Sequence, residues 1–121
     1  MKRDMELIRK ILLTIEETDD YPIYNLDIEG YRPSVVEYHC SILFDAGLVY
    51  DYINICGLGD DDECEFGISR LTWEGHEFLE TAKDDSRWKK AMEVVKEKGG
   101  NITLDILKQL LIQLMKTTFL G

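Results

Sequence analysis

Three patterns that follow one another along the chain predict an α+β fold. Residues 34–46 carry apolar side chains at helical spacing and stop at Gly47, a natural left-handed helix end. Residues 48–56 and 65–71 are rich in β-branched and aromatic side chains, as paired strands are. Thr72 stands where it can cap a further helix. A helix, a hairpin and a capped helix in this order are typical of a winged helix-turn-helix core.

The length of the chain fits one domain built around that core. A chain of 121 residues is large enough to bury about two-thirds of the surface that it exposes when unfolded. We therefore predict a single domain over residues 1–121, with the winged-helix core over 1–82 and a helical extension over 83–121. Three C-terminal helices follow the hairpin in this prediction.

The elements ahead of the hairpin are predicted to be a helix, a short strand and a second helix. Residues 4–17 have the spacing of an amphipathic helix, which Asp4 can cap. Residues 24–28 alternate apolar and polar side chains, which predicts a half-buried strand. Pro33 suits the first turn of the next helix. His39 and Cys40 are expected at or near its core-facing side.

The last two helices are marked by a cap and by glycines. Ser86 is predicted to cap a helix that Gly99 and Gly100 end. The final helix, predicted over 103–119, carries apolar residues on more than one side, whereas packing on one surface needs only a stripe. We therefore expect its leucine seam to bury a second side against another copy. The seam is formed by Leu104, Leu107, Leu111 and Leu114.

Charge is unevenly distributed and bears directly on the class of partner. The net charge is −10, with 5 basic and 10 acidic side chains in residues 1–50, 2 and 11 in 51–85, and 7 and 3 in 86–121. A nucleic-acid-binding protein needs a basic face to displace counterions from phosphate. The acidic middle of this chain disfavours DNA as its partner.

The predicted recognition helix lacks the side chains that read DNA. Base edges are read by Arg, Lys, Asn or Gln, and residues 33–47 contain none of these. If DNA is bound, the contacts would come from the start of this helix and from the basic C-terminal third. Those candidates are Arg32, Ser34, Glu37, Ser41, Arg87, Lys89, Lys90 and Lys96. The other interpretation of the basic residues is a solvated helix face that offsets the acidic body.

An acidic hairpin tip and tyrosines in the first half of the chain favour contact with a protein. Tyrosine is enriched at protein interfaces, although edge packing with hydroxyls in solvent explains the tyrosines equally well. The candidate contact is made up of Tyr50, Tyr52, Asp60, Asp61, Asp62 and Glu63. The consecutive aspartates lack the alternation of an EF-hand, so we interpret them as a solvated tip rather than a metal site.

Catalysis and cofactor binding have no motif in this sequence. The three cysteines form no CxxC pair and match no zinc module, so we expect neither a metal nor a disulfide. No phosphate-binding glycine loop and no nucleophile elbow is present, and we predict no enzyme activity and no cofactor. No apolar run resembles a membrane span or a signal peptide, so we expect a cytoplasmic protein.

Three segments in order resemble a family of small proteins from phages, prophages and mobile elements of bacteria. The segments are MKRDMELIRKIL, YHCSILFDAGLV and SRLTWEGHEFL, and the similarity covers nearly the whole chain. The family is catalogued as domain of unknown function 2513. The resemblance implies a winged-helix-like core and a phage or prophage origin, and it implies no activity. Residues 33–49 are more loosely similar to the recognition helix of winged-helix repressors, but Tyr24 to Pro33 leaves no room for the helix that normally precedes it.

These observations predict a non-enzymatic binding module of a phage or mobile element. Its partner would be an unidentified protein or a second copy of the chain. The alternative is a winged-helix transcriptional regulator that contacts DNA through its basic C-terminal helices. A weaker alternative is an acidic DNA mimic that occupies a basic site on another protein.

Overall fold

The computed structural model describes residues 2–55, 65–100 and 102–120. The described residues form five helices and a small antiparallel sheet, which confirms the predicted α+β class. The elements are α1 (Met5–Glu17), β1 (Ile23–Tyr24), α2 (Pro33–Asp45), β2 (Tyr52–Ile55), β3 (Glu65–Ile68), α3 (Trp73–Ala82), α4 (Asp85–Glu97) and α5 (Leu104–Leu120).

The chain forms two compact units, with a boundary inside α3. The N-terminal unit comprises Met1–His76 and the C-terminal unit Glu77–Gly121. The prediction of one domain divided at residue 82 stays a prediction.

Helices α1 and α2 supply much of the core of the N-terminal unit. Asp4 caps α1 as predicted, since its side chain accepts a hydrogen bond from the Leu7 N–H at 3.2 Å. The apolar side of α1 is buried through Leu7, Ile8, Ile11, Leu12 and Ile15. On α2, Val36, His39, Cys40 and Leu43 are buried, so the predicted placement of His39 and Cys40 on the core side is confirmed.

The sheet has β3 in the middle, with β1 and β2 at its edges. Gly67 of β3 pairs with Tyr24 on one side and with Ile53 on the other. Phe66 and Ile68 of β3 are buried. The hairpin predicted over 48–71 is therefore present as β2 and β3, and an isolated bridge between Val49 and Leu71 extends the pairing.

The predicted strand 24–28 is wrong in its extent, because β1 ends at Tyr24. Asn25 adopts a left-handed φ of 52° and bonds Phe66 twice. Its N–H donates to the Phe66 carbonyl at 2.8 Å, and its Oδ1 accepts from the Phe66 N–H at 3.0 Å. Leu26 and Ile28 are buried as the alternation indicated, whereas Tyr24 is 61% exposed.

The end of α2 follows the glycine signal. Gly47 has a φ of 76°, and its N–H donates to the Phe44 carbonyl at 3.0 Å. The Leu48 N–H donates to the Leu43 carbonyl at 3.0 Å, which completes a Schellman motif. The chain thereby reverses direction and enters the hairpin.

Helix α4 begins two residues earlier than predicted and has a different cap. Asp84, not Ser86, is the N-cap, and its Oδ1 accepts from the Arg87 N–H at 2.8 Å. Ser86 lies within the first turn, so the prediction for its role is wrong. A carboxylate at this position also interacts favourably with the positive end of the helix. Gly99 and Gly100, both with positive φ, follow the helix as predicted.

Helix α5 is amphipathic, and most of its apolar side is covered within the chain. Leu107 and Leu111 are 0% exposed, whereas Leu104 and Leu114 are partly buried. The exposed row is mostly polar: Asp105, Gln109, Gln113 and Lys116. The assignment of Leu107 and Leu111 to a contact with another copy is therefore corrected, because a side chain that the chain's own core surrounds has no surface left for a partner.

Candidate functional site

The outward side of α2 is where a winged-helix protein would meet DNA, and part of it is engaged in internal hydrogen bonds. Arg32 and Ser34 are exposed at its start. Ser41 is partly buried, and its hydroxyl donates to the Tyr38 carbonyl at 2.7 Å. Of these candidates, Arg32 is the one cation, and it precedes the helix.

A polar cluster of Glu37, Tyr52 and Asn54 joins α2 to β2. The Tyr52 hydroxyl donates to Glu37 Oε1. The Asn54 side-chain amide donates to the same oxygen at 2.6 Å and to the Tyr52 hydroxyl at 3.1 Å. Burial, and then the hydrogen bond to Glu37, raise the pKa of Tyr52 to about 12. Glu37 and Tyr52, predicted for two different contacts, are thus brought together to hold α2 against the hairpin.

Cys40 lies next to this cluster and is chemically silent. The thiol is fully buried, and burial followed by the nearby Glu37 charge raises its pKa to about 12. Because the thiolate is the reactive form, burial disfavours Cys40 as a nucleophile or a metal ligand. Cys56 and Cys64 lie outside the described residues.

Four exposed side chains lie on segments whose backbones are hydrogen-bonded to one another, at the end of α2, ahead of β2 and around the start of α3. We call Phe44, Tyr50, Arg70 and Trp73 the junction patch. The exposed fractions are 41% for Phe44, 63% for Tyr50 and 76% for Trp73. The Arg70 guanidinium stands 4.6 Å from the centre of the Tyr50 ring, in a cation–π contact.

The backbone beneath the junction patch is tightly bonded. The Thr72 hydroxyl donates to the Gly47 carbonyl at 2.5 Å, and the Thr72 N–H donates to the Leu48 carbonyl at 3.0 Å. Thr72 Oγ1 also accepts from the Gly75 N–H at 3.0 Å, so the predicted cap of α3 is confirmed. Gly75 packs so closely on Leu48 that a Cβ at this position would overlap the carbonyl oxygen of Leu48.

Acidic residues are the sequence neighbours of the aromatic residues in the junction patch. Each of its three aromatic residues is followed directly by an exposed acidic residue, and these are Asp45, Asp51 and Glu74. Asp51 Oδ1 also accepts from the Tyr52 N–H at 2.8 Å, so the position of that carboxylate is fixed by the backbone. Asp60, Asp61, Asp62 and Glu63, the other predicted protein contacts, lie outside the described residues.

A third exposed group lies on the side of the sheet that faces away from α2. A Cβ on Gly67 would meet the Tyr24 ring at 3.3 Å, so the absence of a side chain lets that ring lie against β3. Ile53, which pairs with Gly67, is 41% exposed. This face is smaller than the junction patch and has one aromatic ring, Tyr24.

The basic residues of α4 divide into surface and structural groups. Lys89, Lys90 and Lys96 are exposed on the side away from the buried Trp88, as predicted. Arg87 is partly buried, and its Nη1 donates to the Thr81 carbonyl at 3.1 Å and the Glu80 carbonyl at 3.4 Å. Arg87 thus satisfies carbonyls at the end of α3, and its assignment to DNA stays a prediction.

Two kinds of feature are relevant in the part of the chain that the structure describes: metal-ligating groups and membrane-spanning helices. No group of three or more His, Cys, Asp or Glu side chains there is arranged to hold a metal ion. None of the described helices combines the length and apolar character needed to cross a membrane.

Comparisons with known proteins give the family. The chain matches the family described as "Hypothetical protein (DUF2513)" over residues 2–101. A Haemophilus influenzae protein described as "Uncharacterized protein" is 32% identical over 113 residues, which cover 90% of this chain and 91% of that protein. The chain is an α+β protein of two compact units and belongs to the DUF2513 family, as the resemblance of its motifs predicted. No solved structure matches the chain.

Sequence reasoning missed most of the junction patch. It selected Tyr50 but not Phe44, Arg70 or Trp73. A signal for Trp73 was present, since at 3.6 residues per turn it falls on the opposite side of α3 from the buried Phe78 and Leu79. No pattern in the sequence indicates that Phe44 and Tyr50 flank the same junction, because that depends on how α3 meets the turn after α2.

Proposed function

We propose that this chain is a non-enzymatic protein-binding module that contacts its partner through the aromatic side chains of the N-terminal unit. One observation carries the proposal: Tyr24, Tyr50 and Trp73 are 61%, 63% and 76% exposed. Large aromatic side chains usually contribute to a core, and tyrosine and tryptophan are enriched where proteins bind proteins. The backbone that carries these side chains is hydrogen-bonded, which supports a surface that is ordered before a partner binds.

The charge of the chain supports a protein rather than DNA as the partner. Residues 51–85 carry 2 basic and 11 acidic side chains, which repel phosphate. We place the module in the cytoplasm of a bacterial cell and assign it to a phage or mobile element, on the resemblance of its motifs. Its partner would be a phage or host protein.

The test is capture of partners from a bacterial lysate treated with nuclease. The bait is the full chain, compared with a variant neutralised at the four acidic residues Asp60→Asn, Asp61→Asn, Asp62→Asn and Glu63→Gln. The matched control removes charge from α4 instead, through Lys89→Gln and Lys90→Gln. We expect one protein to be retained stoichiometrically by wild type and control and to be reduced in the neutralised variant. A partner that is retained only from a parallel lysate without nuclease would contradict the proposal.

The second candidate is a winged-helix transcriptional regulator, and the sheet topology favours it. The strand order β1–β3–β2, with α2 directly ahead of the β2–β3 hairpin, is the arrangement expected of a winged-helix core. Its DNA contacts would come from Lys89, Lys90 and Lys96 of α4. A fold alone is a weak argument for function, so we rank this candidate second. We rank an acidic DNA mimic third; it would use the acidic side chains of residues 51–85.

A further inference from the structure

The junction patch has the composition of an interaction hot spot. Residues that dominate binding energy at interfaces are most often Trp, Tyr and Arg, and all three occur here as Trp73, Tyr50 and Arg70. Arg70 contacts the face of the Tyr50 ring and donates to the Leu71 carbonyl at 3.3 Å, and most of Tyr50 and Trp73 stays in solvent.

The patch is held in place before any partner arrives. The Tyr50 N–H donates to the Arg70 carbonyl at 2.8 Å, and Thr72 is bonded to both Gly47 and Leu48. A surface whose backbone is already ordered loses less conformational entropy on binding. Trp73 and Tyr50 have two side-chain torsions each, so ordering their rings costs little more.

The charge around the patch selects the chemistry of what can cover it. Three exposed carboxylates, on Asp45, Asp51 and Glu74, flank its aromatic residues. Arg70 is the one Lys or Arg in the sequence between Arg32 and Lys83. A polyanion is repelled by this arrangement, whereas a cationic side chain next to an apolar one satisfies both the carboxylates and the rings.

A second copy of this chain matches that chemistry less well. Its N-terminal unit carries the same acidic residues. The exposed residues of α4 offer cations but no apolar side chain; they are Asp85, Ser86, Lys89, Lys90, Glu93, Lys96 and Glu97. On α5 the exposed Ile106 stands next to an exposed carboxylate, Asp105. We therefore take a different protein as the occupant.

We propose that the junction patch binds a cationic, apolar segment of a partner protein, with an aliphatic or aromatic side chain on Trp73 and Tyr50 and Lys or Arg beside Asp45 and Asp51. This inference rests on the proposed function and adds to it the surface and the chemistry of the partner.

The experiment is selection of random peptides displayed on phage against the full chain, followed by titration of the selected peptides. We expect sequences that place Lys or Arg within a few residues of Leu, Ile, Phe or Trp. Trp73→Ala should weaken binding at least tenfold, because loss of a central aromatic anchor has effects of this size. Asp45→Asn with Asp51→Asn should weaken binding several-fold and flatten its dependence on salt.

The chain offers a control and an independent spectroscopic measurement. Tyr24→Ala removes an equally exposed ring from the sheet face and should change affinity less than twofold. Trp73 is 76% exposed and Trp88 is 3% exposed, so acrylamide quenching of tryptophan fluorescence reports mainly on Trp73. Bound peptide should protect Trp73 from quenching, and circular dichroism checks that each variant folds.

Three results would overturn the inference: selection of acidic peptides, selection of no peptide, or binding that Trp73→Ala leaves unchanged. Peptides that depend on Tyr24 and not on Trp73 would move the contact to the sheet face and leave the proposed function standing. Failure of the proposed function itself is seen separately, in the lysate capture, if the wild-type chain retains no protein stoichiometrically.

Discussion

Gly75 occupies a helical position that helix propensity alone would give to alanine. Glycine in a helix interior costs about 1 kcal/mol relative to alanine. Here the carbonyl of Leu48 approaches the first turn of α3 and accepts from the Thr72 N–H at 3.0 Å. A Cβ on Gly75 would lie 3.0 Å from the Leu48 carbonyl carbon and overlap its oxygen. The close approach of the Leu48 carbonyl, rather than helix propensity, therefore explains why this position is glycine.

Gly75→Ala should lower the free energy of unfolding by about 2–3 kcal/mol, because α3 must move off the turn after α2. Equilibrium urea unfolding monitored by circular dichroism measures the change. Glu77→Ala, at an exposed position of the same helix, should change the free energy by less than about 0.5 kcal/mol. A Gly75→Ala variant as stable as wild type would show that the turn adapts at no cost.

The two histidines of the chain have opposite environments. His39 is 0% exposed; its Nε2 accepts from the Asp4 N–H at 2.8 Å, and its Nδ1 lies 2.8 Å from the Val35 carbonyl. The neutral ring with the proton on Nδ1 satisfies both groups at once. His39 thereby ties α2 to the start of α1. His76 is exposed.

His39→Leu should destabilise the protein by about 1–3 kcal/mol, since it leaves the Asp4 N–H without its acceptor. His76→Leu is the matched control and should change the free energy of unfolding by less than about 0.5 kcal/mol. Thermal and urea unfolding of both variants test this. Equal effects at the two positions would contradict the assigned role of His39.

The bond between Tyr52 and Glu37 predicts a loss of stability in alkali. The pKa of Tyr52 is raised to about 12 in the folded protein, against about 10 in the unfolded chain. The folded state therefore holds this proton more tightly, so its contribution is present below pH 10 and is lost as the pH rises toward 12. Absorbance titration of tyrosinate should show a late-ionising group that Tyr52→Phe removes and Glu37→Gln shifts to lower pH. A titration that Tyr52→Phe leaves unchanged would contradict the assignment.

At the scale of single elements, local capping rules place most ends but not the start of α4. Two candidate caps lie two residues apart in the sequence, Asp84 and Ser86. The structure selects Asp84, whose carboxylate accepts from the Arg87 N–H at 2.8 Å. The side chain of Arg87 then reaches the last carbonyls of α3, at Glu80 and Thr81. A serine cap would shift that arginine along the helix and away from these carbonyls.

Asp84→Ala should lower the free energy of unfolding by about 1 kcal/mol, the usual cost of losing an N-cap. Ser86→Ala should be neutral or slightly stabilising, because alanine has the better helix propensity within the first turn. Urea unfolding of the two variants decides between the caps. A larger effect at Ser86 would restore it as the cap and place the start of α4 later.

The apolar pattern of helix α5 was misinterpreted because the sequence does not show which neighbouring residues cover the helix. Its apolar residues cover more than one side, which predicted a surface for self-association. Leu107 and Leu111 are wholly buried, and the neighbouring Ile106 is 54% exposed. The breadth of an apolar face does not tell whether one wide surface or two separate ones cover it.

For the whole molecule, the distribution of charge bears most directly on whether DNA can bind. The net charge of −10 is concentrated in the first 85 residues, and residues 86–121 carry a net +4. The candidate recognition helix lacks Lys, Arg, Asn and Gln, and Glu37 on it is bonded to Tyr52 and Asn54. A DNA-binding surface on α2 would therefore lack base-reading side chains, and its Glu37 carboxylate would already be engaged within the protein.

We therefore expect little or no sequence-specific binding of duplex DNA near physiological salt. Selection of bound oligonucleotides from a random pool measures this directly. The variant neutralised at Asp60, Asp61, Asp62 and Glu63 shows whether the acidic segment masks an underlying affinity. One recurring site, bound with a Kd of about 10⁻⁸ M, would contradict the prediction and favour the regulator.

Much of the fold could be predicted because its signals are local. The helix caps at Asp4 and Thr72, the stop at Gly47 and the period of α1 each depend on residues within one or two turns of each other. The candidate site could be predicted only in part. Its members come from α2, from the segments that precede β2 and follow β3, and from α3, and their arrangement depends on contacts such as Thr72 to Gly47, 25 residues apart.

The sequence by itself determined the α+β class, the order of the elements, the distribution of charge and the membership of the DUF2513 family. Those properties follow from composition and from interactions between near neighbours. Only the tertiary structure decided that β1 stops at Tyr24 and that Glu37 accepts a hydrogen bond from Tyr52. It also decided that Leu107 and Leu111 are buried, whereas Trp73 is exposed. Each of these depends on which surface a distant segment covers, and one strand or helix does not encode the position of its neighbours.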